Sequence, residues 1–320
     1  MRMDMMRILL PLWLVLAIGH VHSTTSVLSA QVDVVIFAGQ SNMTGAKADI
    51  TQIAASAVDG QTPYFYDTQG GNINVQRFTS GGALTTLQGV SFQADTGFAL
   101  DLNRFGPEIG FARKMAELDA SFNLAVVKIS FGSSFMVDWA KAGGGAFGNA
   151  YTDRLITGVN TAMGLFPGDT PVIRGLVWGQ GESDAAADPQ FHTVFYEDRF
   201  GQFLSDFRAD IGVPDLPVLA FELNSGLAAP QANVDLFRDE QADYAASDPN
   251  AILVSVAGLP LSPSDNRHYE SAEMLVLGER AAQAFQSNFA TVPEPVHALW
   301  IGLGLTLWGV IRKHRKSPAA

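Results

Sequence analysis

Cysteine is absent from the 320 residues, and charge is sparse, with 16% of the chain Asp, Glu, Lys or Arg. The first absence removes disulfides, thiolate metal sites and cysteine nucleophiles. Basic residues are few, 20 Lys and Arg against 32 Asp and Glu, for a net charge of −12. The two ends are net positive, through Arg2 and Arg7 and through Arg312, Lys313, Arg315 and Lys316. The stretch between carries more negative charge than the whole chain. It therefore lacks the basic face that phosphates require, and no nucleic-acid partner is expected. Long apolar runs are also missing between the ends, which excludes a polytopic membrane protein. A hydrophobic content of 47% excludes disorder. One acidic domain over residues 31–290 remains, large enough to build a core without disulfides.

Both ends read as targeting segments. Residues 1–23 begin with a basic stretch, continue through the apolar run Ile8 to Ile18, and finish in small and polar residues. That order is signal-peptide anatomy, with cleavage as late as residue 30 if Leu28-Ser29-Ala30 is used instead of Val21-His22-Ser23. A retained N-terminal anchor is the other reading. Residues 291–320 contain Val292-Pro293-Glu294-Pro295, an apolar stretch over 296–311 and the basic cluster Arg312 to Lys316. The apolar stretch is expected to form one transmembrane helix spanning about 24 Å, with the basic cluster left on the cytoplasmic side. The three parts in this order resemble the PEP-CTERM sorting signal of Gram-negative bacteria. The resemblance implies an exosortase-type partner and export, with release to the cell surface or matrix once the tail is processed. Unprocessed, residues 296–311 would leave the domain anchored and facing the periplasm.

Between the ends, five short apolar runs read as buried strands: 32–38, 124–130, 172–178, 218–223 and 252–256. They are continuous rather than alternating, as in a parallel sheet covered on both faces. Helical patterns lie between them, at 107–118, 151–165, 189–211, 234–246 and 268–285. The expected fold is α/β, a three-layer α/β/α sandwich around a central parallel sheet of about five strands. Residues 44–105 break the rhythm, being rich in Gly, Thr, Gln and Asn, and are expected to be a lid or pocket wall, or else a surface loop.

Active sites of such sheets lie at the carboxyl ends of the strands. The residues there are Gly39-Gln40-Ser41-Asn42-Met43, Phe131-Gly132-Ser133-Ser134, Gly179-Gln180-Gly181-Glu182-Ser183-Asp184 and Asp265-Asn266-Arg267-His268. They supply a candidate nucleophile, backbone and amide donors, and an acid–histidine pair, the parts needed for acyl transfer through an activated serine. Of six histidines only His192 and His268 fall outside the two end segments. His192 sits in a helical pattern and is expected to be solvated, whereas Asp265 and His268 are three residues apart in a loop entering a helix. Asp265 capping that helix, with His268 exposed, is the bland alternative.

The ordered set of motifs resembles the SGNH/GDSL hydrolases, and within them the sialate O-acetylesterase-like group that includes carbohydrate esterase family 6. The resemblance covers about Val32 to Phe285 and includes Gly106-Pro107-Glu108 and Leu277-Gly278-Glu279-Arg280. It implies the flavodoxin-like SGNH fold, with Ser41 as nucleophile, His268 as general base and Asp265 orienting the imidazole. It also implies an oxyanion hole from the N–H groups of Ser41 and Gly132 and the side chain of Gln180. Glu182 is left as a structural acceptor or an alternative acid. Asn42, Phe131 and Trp178 are placed along the substrate pocket, Asn42 more as a brace for the turn and Phe131 as a residue narrowing the acyl site. Phe131 stands where the family usually has a glycine, which makes Gly132 less secure than Ser41. The implied activity is removal of O-acetyl groups from sialic acid, acetylated xylan or another polysaccharide, with no cofactor and no metal. A catalytically silent carbohydrate-binding protein and a lipase or thioesterase are the alternatives.

Overall fold

A computed structural model describes residues 30–289, apart from 55, 60–61, 63, 68–72, 75–90, 93–99, 102–103, 143–148, 165 and 167–168. The expected signal peptide at 1–23 and tail at 291–320, with its helix at 296–311, lie outside the described residues, as does most of the 44–105 insertion. Among the described residues no helix is long and apolar enough to cross a membrane, and no group of three or more His, Asp or Glu could hold a metal ion.

Among the described residues there are nine strands: β1 (Gln31–Gly39), β2 (Tyr64–Asp67), β3 (Ile73–Asn74), β4 (Ser91–Phe92), β5 (Leu100–Asp101), β6 (Leu124–Ser130), β7 (Thr170–Gly179), β8 (Val218–Phe221) and β9 (Ala251–Val254). The main sheet runs β3-β2-β6-β1-β7-β8-β9, while β4 and β5 pair separately. The five expected strands are its contiguous parallel centre, β6-β1-β7-β8-β9. From the irregular insertion, β2 adds a further parallel strand against β6 and β3 adds an antiparallel one. The β8 run stops at Phe221 rather than Leu223 because the Leu223 N–H leaves the ladder for Gln241 Oε1 at 2.8 Å. β1 has β6 on one side and β7 on the other, so the chain order reverses there and opens a crevice beyond the strand ends.

Seven helices are described: α1 (Ser41–Thr44), α2 (Glu108–Leu118), α3 (Thr157–Met163), α4 (Glu182–Ala186), α5 (Tyr196–Ile211), α6 (Gln231–Ser247) and α7 (Ser271–Asn288). The strand apolar runs are continuous because both faces are covered. Val34, Ile36 and Ala38 of β1 enter a core shared with Phe203 and Phe207 of α5 and Phe237 of α6. Val35 and Phe37 enter the opposite core with Phe111 of α2 and Leu277 and Phe285 of α7. The 151–165 pattern begins as a π-helical turn, Tyr151–Ile156, before α3. The 189–211 pattern becomes regular only at Tyr196. Asp188 side-chain Oδ1 accepts from the Gln190 N–H at 3.0 Å, and its carbonyl accepts from Phe191 and His192, closing a turn in place of a helix. His192 therefore lies outside α5.

Candidate active site

The turn after β1 is set by backbone contact. Gly39 has φ +147°, and a Cβ there would stand 2.1 Å from the Gly179 carbonyl oxygen, so only glycine lets the ends of β1 and β7 meet. The Gln40 N–H then donates to that carbonyl at 2.8 Å. The buried Gln40 side chain gathers the opposite loop, its Oε1 accepting from the Gly181 N–H at 3.1 Å and Gln180 Nε2 at 3.2 Å. Ser41 is thus presented at the start of the single turn α1. Beneath it, the Lys128 ammonium, fully buried, donates to the Thr44 carbonyl at 3.1 Å and to Glu108 Oε1 at 2.9 Å. Burial pushes this ammonium down from the usual lysine range, against the opposing pull of Glu108.

Asp265 and His268 reach the same place from the loop before α7. Asp265 Oδ1 accepts from the N–H groups of Arg267 at 2.9 Å and His268 at 3.1 Å. Its Oδ2 lies 2.8 Å from His268 Nδ1, and His268 Nε2 lies 2.8 Å from Ser41 Oγ. Asn266 between them takes φ +47°, a left-handed conformation that asparagine tolerates and that turns the chain back on the carboxylate. Partial burial raises the Asp265 carboxyl, but hydrogen bonds from the His268 ring and from the His268 and Arg267 N–H groups outweigh it and hold the group below the usual carboxylate range. With Nδ1–H donated to that carboxylate, the Nε2 lone pair faces the serine hydroxyl, as a general base requires.

The remaining expected site residues divide. Gly132 lies in the turn after β6, followed by Ser133 at φ +60°. Among the described residues no group accepts from the N–H of Ser41 or Gly132. Gln180 was expected to supply an oxyanion donor, and its position corrects this. Its Nε2 faces Gln40 Oε1, the Ser134 carbonyl at 3.1 Å and Asp184 Oδ2, so both amide hydrogens are already engaged and the side chain acts as a brace. Glu182 does not reach the His268 ring; its Oε1 accepts from Asn42 Nδ2. Burial pushes the Glu182 carboxyl up, partly offset by the Asn42 hydrogen bond and by nearby His268 and Arg267.

Trp178 is corrected as well. Its ring is fully buried in the core, against Trp139 at 5.1 Å and Phe203 at 4.7 Å, and cannot line a substrate pocket. Phe131 likewise turns into that core, with the Arg154 guanidinium 4.1 Å over its ring, and so does not narrow the acyl site. Asn42 lines a narrow cavity with Gln180, Glu182 and Tyr269, its amide engaged by protein groups. His192 stacks on Phe135 at 4.5 Å between ring centroids.

Two buried residues support the site in roles that the sequence motifs did not assign to them. Asp184, wholly buried, accepts from the Met136 N–H at 3.0 Å and ties Gln180 to the turn after β6. Lys128 is the other, and its signal was visible: a lone charge inside Leu124-Ala125-Val126-Val127-Lys128-Ile129-Ser130.

The layers, the sheet order and the crevice at β1 define a doubly wound α/β fold whose site lies beyond the strand ends. Over residues 31–287 the sequence matches the family described as carbohydrate esterase, sialic acid-specific acetylesterase. The chain belongs to that family, and it is a carboxylic ester hydrolase. No curated protein matches the sequence. Among solved structures it is similar to a protein from Arabidopsis thaliana, with a TM-score of 0.59 and 20% identity over 80% of this chain and 98% of that one. It is also similar to a carbohydrate acetylesterase from Xanthomonas citri, with a TM-score of 0.55 and 19% identity over 81% of this chain and 56% of that one. A third similar structure is NanS, with a TM-score of 0.54 and 15% identity over 82% of this chain and 98% of that one. At these identities the structural likeness speaks for the fold.

Proposed function

We propose that this chain is an exported serine esterase that removes O-acetyl groups from a carbohydrate through an acetyl-enzyme. The observation that carries the reading is the hydrogen-bonded series from Ser41 Oγ through the His268 ring to Asp265, both links at 2.8 Å. Ser41 Oγ attacks the acetyl carbonyl carbon while its proton passes to His268 Nε2. Asp265 fixes the tautomer and stabilises the imidazolium without itself taking the proton. The oxyanion meets the N–H groups of Ser41 and Gly132; each such donor is worth about 10²–10³ in rate. The imidazolium then protonates the departing sugar oxygen, and the C–O bond to the sugar breaks. Water, deprotonated by Nε2, attacks the acetyl-serine carbonyl and releases acetate, returning the proton to Ser41.

The family description supports an acetylated sugar as substrate, with sialic acid, acetylated xylan and other acetylated polysaccharides as the candidates. Acetate release from a panel of these glycans tests the reading. Release from at least one, with none from long-chain esters, supports it; release only from long-chain esters favours a lipase, and release from nothing a silent binding protein. Export rests on the sequence at the two ends: the leader at 1–23, and the Pro293-Glu294-Pro295 tail at 291–320 as a target for exosortase-type processing. Mass spectrometry of the protein recovered from its native cells, with both ends intact, would contradict that part.

A further inference from the structure

We propose that Asn42 is a positioning residue for His268, and that Glu182 holds its amide in the one orientation that works. The proposal rests on the serine-esterase reading. Asn42 directly follows the nucleophile and is 7% exposed. Its Oδ1 accepts from the Tyr269 N–H at 3.1 Å, and its Nδ2 donates to the Arg267 carbonyl at 3.1 Å. Those are the two peptide groups on either side of His268, so one side chain grips the histidine's backbone from both flanks. The grip belongs to the same one-turn helix as Ser41, which ties the base to the nucleophile with no intervening element. Asp265 cannot do this, because it lies in the His268 loop and would move with it.

An asparagine amide can be turned end for end with little change in shape, and here the turned form fails. It would set an NH₂ against the Tyr269 N–H and an oxygen against both the Arg267 carbonyl and Glu182. The second Nδ2 hydrogen goes to Glu182 Oε1, so the carboxylate specifies the amide's direction. Glu182 is itself buried at the start of α4, and its other oxygen has no hydrogen-bond partner among the described residues. So placed, it serves Asn42 rather than the histidine ring.

The test is a donor–acceptor exchange. In Asn42→Asp, two carboxylates face each other and the donation to Arg267 is lost. In the double variant Asn42→Asp with Glu182→Gln, the glutamine amide donates to the new aspartate, which still accepts from Tyr269. A shift of about 1 Å in a reacting group costs on the order of 10²-fold. The expected result is therefore that Asn42→Asp lowers kcat by about 10- to 100-fold with KM little changed. The rate of Ser41 phosphonylation should fall in parallel, and the double variant should regain only the part of the loss that the facing carboxylates cause, because its aspartate oxygen still meets the Arg267 carbonyl. A double variant no better than Asn42→Asp, a change confined to KM, or failure of both proteins to fold overturns the proposal. Failure of a phosphonate to label wild-type Ser41 would instead remove the underlying serine-esterase reading.

Discussion

Two histidine loops stand at the carboxyl end of this sheet, each beside an aspartate, and only one is arranged for catalysis. In the His268 loop, Asp265 turns one oxygen to the backbone and keeps the other for Nδ1 at 2.8 Å, leaving Nε2 aimed at a serine. In the His192 loop, Asp184 is already taken up by the Met136 N–H and the Gln180 amide, and its Oδ1 stays 3.5 Å from His192 Nδ1. His192 has a ring contact with Phe135, and its Nδ1 has no hydrogen-bond partner among the described residues. The comparison teaches that an aspartate near a histidine is not enough. The carboxylate needs an oxygen left over, and the far nitrogen needs a hydroxyl.

The largest expected effect removes what His268 faces and His192 does not. Ser41→Ala should abolish acetate release while leaving the unfolding free energy within about 1 kcal/mol, as followed by denaturant titration. His268→Ala comes next, with kcat lower by about 10⁴-fold or more. Asp265→Asn should lower kcat by about 10³–10⁴-fold with KM nearly unchanged, since it disturbs the tautomer rather than binding. Wild-type Asp265 is a carboxylate with a lowered pKa, so its contribution is present above the ordinary carboxylate range and is lost only as pH falls through the lowered value. A loss of activity that follows protonation of Asp265 within or above the ordinary carboxylate range, read by comparing the kcat/KM pH profiles of wild type and Asp265→Asn, would contradict this. Gln40→Ala reaches the scaffold that both loops share. It leaves the Gly181 N–H without its acceptor and should cost about 1–3 kcal/mol in stability, read from the denaturation midpoint. The smallest effect belongs to His192→Ala, for which kcat should stay within about 3-fold; a loss approaching that of His268→Ala would erase the distinction between the loops.

Most of the parallel sheet could be read from the sequence because burial on both faces leaves an unbroken apolar run, as in Val32 to Ala38. β2 and β3 could not, since the pairing of β2 with β6 and of β3 with β2 comes from tertiary contact and leaves no period in a polar insertion. Ser41, Asp265 and His268 were legible as candidates because strand ends and a three-residue spacing bring them within reach of each other. The direction of a side chain was not legible. Trp178 and Phe131 sit at the correct strand ends but their rings join the core under α5 and α6, because helices cover both faces of the sheet and the crevice lies beyond the strand ends. The oxyanion role of Gln180 came from the resemblance, whereas its amide is engaged by Asp184 four residues on and by Gln40 and Ser134 from distant parts of the chain.

The most direct measurement is peptide mapping after reaction with a serine-directed phosphonate, on wild type, His192→Ala and His268→Ala side by side. One adduct on Ser41 is expected in wild type and in His192→Ala, with labelling slowed by orders of magnitude in His268→Ala. An adduct on another residue, or equal labelling of Ser41 without His268, would contradict the claim that this serine and this histidine work as a pair.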